Sequence, residues 1–286
     1  MFRIEKKEHL NDTVGRMAIL APRVAKKALP GQFIILRVEE EGERIPLTVA
    51  GTDPDRGTVE IIYQIVGATT KKLDQKEAGD FLPDFVGPLG RPTEITGGKV
   101  CVIGGGVGCA IALPVARAFA EKGAEVVGIM GFREKGLVIL EEEFRAASTR
   151  LFLMTDDGSY GEKGNVCAPL EKMLAEGEKF DRILAVGPLI MMKFVVAAAR
   201  PYGVPVTVSM NPIMIDGTGM CGGCRLTLTG ADGKRETKFA CVDGPEFDGY
   251  AVDFDEAMRR GAAYREFERH AFEETCNLLQ QGREAR

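Results

Sequence analysis

Histidine and tryptophan are nearly missing from this sequence. His9 and His270 are the two histidines of the 286 residues, near opposite ends, and tryptophan does not occur. Ser–His–Asp catalysis and histidine-ligated metal centres need imidazole beside the reacting group, so both are excluded. Long apolar runs are also missing. The longest uncharged stretch, Val100–Ala116, has 17 residues, holds four glycines and a proline, and reads as strand, loop and helix. No membrane insertion is therefore expected. Met1–Glu8 lacks the apolar stretch of a secretory signal. With 37 Lys and Arg against 42 Asp and Glu, a net charge of −5 and a pI near 5.4, no basic stripe exists to replace phosphate counterions. Nucleic acid is not an expected partner.

What is abundant is glycine, 35 residues without a collagen-like period, and cysteine, at seven. An odd cysteine count without a signal points to a reducing, cytoplasmic setting and to thiols used as ligands. Cys167 and Cys276 read as inert packing thiols. The length predicts about two domains.

Residues 1–97 read as β. Gln32–Val38 and Thr58–Val66 are rich in β-branched and aromatic residues, with the loop-forming Gly51–Gly57 between them. An antiparallel barrel or sandwich is expected, with no long helix before Ile95. Residues 98–210 alternate. Strands are predicted at Val100–Ile103, Glu125–Met130, Leu151–Met154 and Arg182–Val186, with helices over Ala110–Ala120 and Val166–Glu176. This pattern predicts a doubly wound parallel sheet. Residues 211–286 begin with a glycine- and cysteine-rich stretch and end in a charged helix from about Glu256 to Leu279.

The strongest chemical signal is Asp216-x4-Cys221-x2-Cys224-x16-Cys241. Plant-type [2Fe–2S] proteins use Cys-x4-Cys-x2-Cys and a distant fourth cysteine; here the spacing is kept and the first position is aspartate. Gly217, Gly219, Gly222 and Gly223 let such a loop turn sharply and aim N–H groups at sulfur. Structural zinc is the alternative, although three thiolates and a carboxylate are an uncommon set for it.

Gly104-Gly105-Gly106-Val107-Gly108-Cys109 follows a strand and opens a helix, the context for binding a pyrophosphate. A tight strand–helix turn is the other reading. Thr155–Gly161 and Gly187-Pro188 follow the next predicted strands, so three loops leave the carboxyl ends of a parallel sheet, where open α/β sheets bind ligands. Arg44-Ile45-Pro46-Leu47-Thr48 sets a cation, an apolar surface and a hydroxyl in a row, suited to a diphosphate and a flat ring, or is a strand start with a proline.

In this order, with Val66–Thr70 and Gly87–Gly90, these motifs resemble the flavin-containing electron-transfer subunits of the ferredoxin–NADP reductase superfamily over the whole chain. Within it they resemble the electron-transfer subunit of dihydroorotate dehydrogenase and, with aspartate at 216, the small subunit of NADH-dependent ferredoxin:NADP oxidoreductase. The resemblance implies an FAD-binding β-barrel (1–97), an NAD(H)-binding α/β domain (98–210) and a [2Fe–2S] lobe with a C-terminal helix (211–286). It implies flavin contacts from Arg44, Pro46, Leu47, Thr48, Gly67, Thr69, Thr70, Gly87, Pro88, Leu89 and Gly90. Gly104, Gly105, Gly106, Gly108, Asp156, Asp157, Gly158, Gly187 and Pro188 would line the nicotinamide-nucleotide cleft. Cys109 would face the nicotinamide or fill space, and Arg133 would meet the 2′-phosphate if NADP(H) is used. Asp216, Cys221, Cys224 and Cys241 would hold the cluster. The implied partner is a large iron–sulfur flavoprotein that also serves ferredoxin. Hydride carries two electrons and the cluster accepts one, which is the reason to join both to a flavin on one chain.

Overall fold

The computed structural model describes residues 1–284; the last two residues of the expected third segment lie outside them. The first sheet comprises β1 (Phe2–Asn11), β2 (Val14–Leu20), β3 (Phe33–Arg37), β4 (Arg44–Asp53), β5 (Thr58–Gln64), β6 (Phe81–Leu82) and β7 (Asp84–Leu89), with short helices α1 (Pro22–Ala25) and α2 (Ala68–Leu73). Its strand order is β6-β1-β2-β5-β4-β3-β7. Only Pro83 separates the two edge strands, so the antiparallel sheet nearly closes into a barrel around Ile4, Ile34, Leu36, Ile61 and Tyr63. Strand β4 runs further than Gly51-initiated loop chemistry predicts. Thr52 and Asp53 pair with Val59 and Thr58, and the turn shrinks to the residues between.

The second sheet is built from β8 (Lys99–Gly105), β9 (Glu125–Phe132), β10 (Arg150–Thr155), β11 (Glu162–Lys163), β12 (Arg182–Val186) and β13 (Val206–Ser209). Helices α3 (Gly108–Glu121), α4 (Glu141–Ala146), α5 (Cys167–Ala175) and α6 (Leu189–Ala199) connect them. The order β11-β10-β9-β8-β12-β13 is parallel throughout. Chain direction across the sheet reverses between β8 and β12, which opens a crevice at their carboxyl ends. Helix α3 buries one face on the sheet while Val14, Ala50 and Ile62 of the barrel join the same apolar cluster. The barrel is thereby seated directly beside the crevice.

The third segment contributes a hairpin, β14 (Arg225–Thr229) and β15 (Arg235–Phe239), then α7 (Ala240–Asp243), β16 (Glu246–Asp248), α8 (Phe254–Ala262) and α9 (Arg265–Glu284). Strand β16 pairs antiparallel with β13 and ends the parallel sheet, so the third segment is woven into the second. The single charged helix expected from Glu256 is two. Asp253 caps α8 through Glu256 N at 2.9 Å, and the helix ends at Ala262, one residue past Gly261, a poor helix former. The break lets α8 pack on α6 while α9 packs on α2 of the barrel.

Glu246 stands where the three segments meet. Thr93 Oγ1 donates to Glu246 Oε1 at 2.5 Å, and Arg91 N donates to Gly244 O at 2.7 Å. Burial raises the Glu246 pKa above the ordinary carboxyl value, against the opposing pull of Thr93 and Arg182. A raised folded-state pKa gives a contribution fully present below the unfolded pKa and lost as pH rises through the folded one. Glu246→Gln is therefore expected to stabilise the protein at pH 7, with the gain vanishing below about pH 4. Urea unfolding at both pH values checks it, and an equal gain at the two would disprove the titration.

Candidate functional site

Barrel and parallel sheet enclose one large cleft, about 1430 Å³. The barrel presents Pro46, Leu47 and Thr48 from β4 and Thr70 from α2. The facing wall is backbone: Gly105, Gly106 and Gly108 after β8, and Gly187 and Pro188 after β12. Close approach requires glycine at 108, where the neighbour is backbone, and crowds 105 against a methionine side chain. A Cβ on Gly105 would sit 2.3 Å from Met191 Sδ, and one on Gly108 only 2.4 Å from Val186 O. The fourteen-residue α3 begins in this wall at Gly108, so its dipole favours an anion there. Arg133 and Asp156, at the ends of β9 and β10, line the same cleft.

Several expected contacts are held by local partners. Thr70 Oγ1 accepts from Val66 N at 3.1 Å and Gly67 N at 3.0 Å, fixing the start of α2. Thr69 Oγ1 donates instead to Glu43 Oε2 at 2.8 Å. Arg44 is exposed and faces Asp84 at 3.4 Å. Asp157 and Gly158 shape their own turn: Asp157 Oδ1 accepts from Ser159 Oγ and N, which keeps this carboxyl below its ordinary pKa. Cys109 is fully buried, and burial pushes its thiol up to about 12. It lies under Gly104, whose Cβ would meet Cys109 Cα at 2.7 Å, so its visible role is packing.

Sequence reasoning missed several polar residues of the cleft: Asn11, Thr13, Gln64, Asn165, Ser209 and Asn211. Asn211 opens the cysteine-loop run, and the others belong to no motif. Their common signal is position, since Gln64 and Ser209 are the last residues of β5 and β13.

The four expected cluster ligands fall into two pairs. Cys224 and Cys241 are buried with sulfurs 3.3 Å apart, and Cys241 N points at Cys224 Sγ at 3.5 Å. Burial and the neighbouring Cys224 thiol push Cys241 up to about 12. Cys221 is exposed on the loop above, with Gly223 N 3.5 Å from its sulfur. Asp216 caps that loop: Oδ1 accepts from Thr218 N and Oδ2 from Cys221 N, both at 2.8 Å. These two N–H groups hold its carboxyl below the ordinary carboxylate pKa. Among the described residues no three such side chains already converge on one metal-binding point. The donor set nevertheless fits an iron–sulfur cluster: soft thiols, backbone N–H groups aimed at sulfur, and positive φ at Gly217, Gly219 and Gly222.

The loop does not stand apart from the cleft. A Cβ on Gly217 would lie 2.6 Å from Leu89 Cδ1 and 3.0 Å from Ile35 Cδ1. A Cβ on Gly90 would lie 3.0 Å from Gly244 O and from Pro245, which itself lines the cleft. The Gly87–Gly90 segment is thus clamped between barrel and cysteine loop. None of the seven cysteines forms a disulfide, and no helix among the described residues is long and apolar enough to cross a membrane.

Residues 211–253 match the iron–sulfur cluster binding domain of dihydroorotate dehydrogenase B. The dihydroorotate dehydrogenase B electron transfer subunit homolog of Thermotoga maritima is 49% identical, over 94% of each chain. The electron transfer subunit of Geobacillus thermodenitrificans is 36% identical, over 78% of this chain and 86% of its own. The chain belongs to the dihydroorotate dehydrogenase B electron transfer subunit family. A structure of the NADH-dependent reduced ferredoxin-NADP oxidoreductase, reported for its flavin-based electron bifurcation, superposes on this family member with a TM-score of 0.88. Identity there is 44%, over 96% of this chain and 97% of that one. The ferredoxin reductase of carbazole 1,9a-dioxygenase, 21% identical with a TM-score of 0.61, shares the fold over 72% of this chain. The cysteine loop falls within the segment that matches the family's iron–sulfur cluster binding domain.

Proposed function

We propose that this chain is the electron-transfer subunit of a flavin- and iron–sulfur-dependent oxidoreductase, acting with NAD(H) and a larger iron–sulfur flavoprotein partner. The observation that carries this reading is the contact of the cysteine loop with the barrel segment Gly87–Gly90 beside the cleft. Electrons must pass between centres of different kinds, and here their walls are shared. When bound, FAD exchanges hydride with a nicotinamide and single electrons with a cluster. Pro46, Leu47 and Thr48 would offer an apolar face and a hydroxyl to the flavin ring. Gly105–Gly108 and the start of α3 would hold the nucleotide's pyrophosphate, and Gly187 lets the backbone approach. Asp156 would take a ribose hydroxyl, and Arg133 the 2′-phosphate of NADP(H). Thiolates of Cys221, Cys224 and Cys241, with Asp216, would ligate a [2Fe–2S] cluster. The division into segments 1–97, 98–210 and 211–286 is then a division by bound group. Seven unpaired thiols suit a cytoplasmic setting.

Absorption spectra with iron, zinc and flavin analysis test the reading. Flavin bands and about two irons per chain are expected for such a cluster; a colourless zinc protein would overturn it in favour of a regulatory subunit. The bifurcating ferredoxin-linked complex is favoured over the dihydroorotate enzyme by aspartate at position 216 and by the 0.88 superposition along nearly the whole chain. Co-purification with a large iron–sulfur flavoprotein supports it, and a barrel-type dehydrogenase partner refutes it. Asp216→Cys is expected to retain iron and to shift the cluster's midpoint potential. Unchanged iron with an unchanged potential would remove Asp216 from the ligand set.

A further inference from the structure

Beyond the matched segment 211–253, α8 directs a cation back onto the cysteine loop. Arg260 Nη2 donates to Gly223 O at 3.3 Å. From the other side, Arg225 Nη1 donates to Gly222 O at 3.3 Å. Gly222 and Gly223 are the two residues between Cys221 and Cys224, so both guanidinium groups grip the turn that spaces two expected ligands. Both are free for this task. Asp253 and Glu256 at the start of α8 pair with Arg235 at 3.0 and 2.9 Å, and Asp255 pairs with Lys193 at 2.7 Å. Among the described residues neither Arg225 nor Arg260 forms an ion pair; their hydrogen bonds go to the loop carbonyls.

Helix α8 is aligned for this. Asp253 caps it through Glu256 N, the Arg235 pairs tie its first turn to hairpin β14–β15, and it packs on β14 and α6. Arg260 is half-buried, where a charge is screened less than in open water. A cation held near a redox centre stabilises the form with the extra electron, and net charge around a cluster is one of the levers on its potential.

We propose that Arg260, seconded by Arg225, is a positioning residue that fixes the Cys221–Cys224 turn and raises the reduction potential of the cluster held there. This rests on the cluster reading above. The experiment is a redox titration of the full chain, followed by electron paramagnetic resonance, for the parent, Arg260→Gln and Arg260→Lys, with iron content measured on each. Arg260→Gln is expected to shift the reduction equilibrium about threefold to tenfold against the reduced cluster, roughly 30 to 60 mV for one electron. Arg260→Lys, which restores the charge, is expected to return most of that shift. A loaded Arg260→Gln with the parent's potential overturns the proposal, as does a lysine variant displaced as far as the glutamine one. If Arg260→Gln binds too little iron to titrate, Arg225→Gln carries the same comparison, with the same sign expected and an unchanged potential fatal. A parent protein without iron defeats the cluster reading itself; an iron-loaded parent with unmoved variants defeats only the arginine assignment.

Discussion

Cys241→Ser is expected to lower bound iron at least tenfold while flavin content stays near that of the parent. Cys241 and Cys224 are the only two expected ligands that the fold itself presses together, sulfurs 3.3 Å apart in a buried floor. Losing a partner one step removed from a metal already costs roughly 10–100-fold in affinity, so losing a ligand in the least adaptable part of the site costs no less. Serine supplies a harder, shorter donor that poorly replaces thiolate toward iron–sulfur centres. Cys241 shares an apolar cluster with Phe33 and Ile35 of the barrel, whereas the proposed flavin contacts Pro46, Leu47 and Thr48 stand on β4. Cys276→Ser, on α9 and away from the loop, is the matched control and keeps its iron. Iron analysis beside flavin released on denaturation reads the difference, and a Cys241→Ser protein with full iron would move the cluster elsewhere.

The α/β half was legible because its strands are continuous apolar runs. Arg182–Val186 is the observed β12, and the other three predicted strands gain only terminal residues, as buried parallel strands should. Strands β1 and β2 have no such signature. In Phe2–Asn11 only Ile4 is fully buried, and most of the other positions are charged or polar and at least partly exposed. Strand β16, Glu246–Asp248, is three residues long, too short for any period to show, and its place in the sheet comes from pairing with β13.

The cysteine loop was legible in ligand type and spacing but not in the state of Asp216. Its carboxylate takes Thr218 N and Cys221 N, a local turn that aspartate forms readily before Gly-Thr. Cluster ligation and this capping draw on the same two oxygens. A ligand aspartate would have to share or surrender at least one of these hydrogen bonds, whereas cysteine at 216 would leave both N–H groups to the sulfurs. Asp216→Cys therefore alters the hydrogen bonding around the centre as well as its donor atom, which is why its potential is the informative quantity.

Gly108→Ala is expected to reduce NADH oxidation with an artificial one-electron acceptor by about 100-fold, with iron and flavin largely retained. The reason is steric, because Gly108 has no positive φ. Its added Cβ would sit 2.4 Å from Val186 O, 2.8 Å from Val186 C and 2.9 Å from Gly187 Cα. All three are backbone atoms at the end of β12 or in the residue after it, so no side chain can swing aside. The loops after β8 and β12 must part, and together they form the backbone wall of the cleft proposed to hold the nucleotide. Overpacking of this kind costs about 1–3 kcal/mol of stability. A displacement near 1 Å at the reacting geometry is enough for a loss on the order of 100-fold. Gly97→Ala is the control: nothing lies within 4 Å of its Cβ, and it should behave as the parent. The proposed flavin contacts are on β4 and α2, not on α3, so loss of turnover without loss of flavin is the discriminating pattern. Parental KM and kcat in Gly108→Ala would place the nucleotide somewhere other than the crevice between β8 and β12.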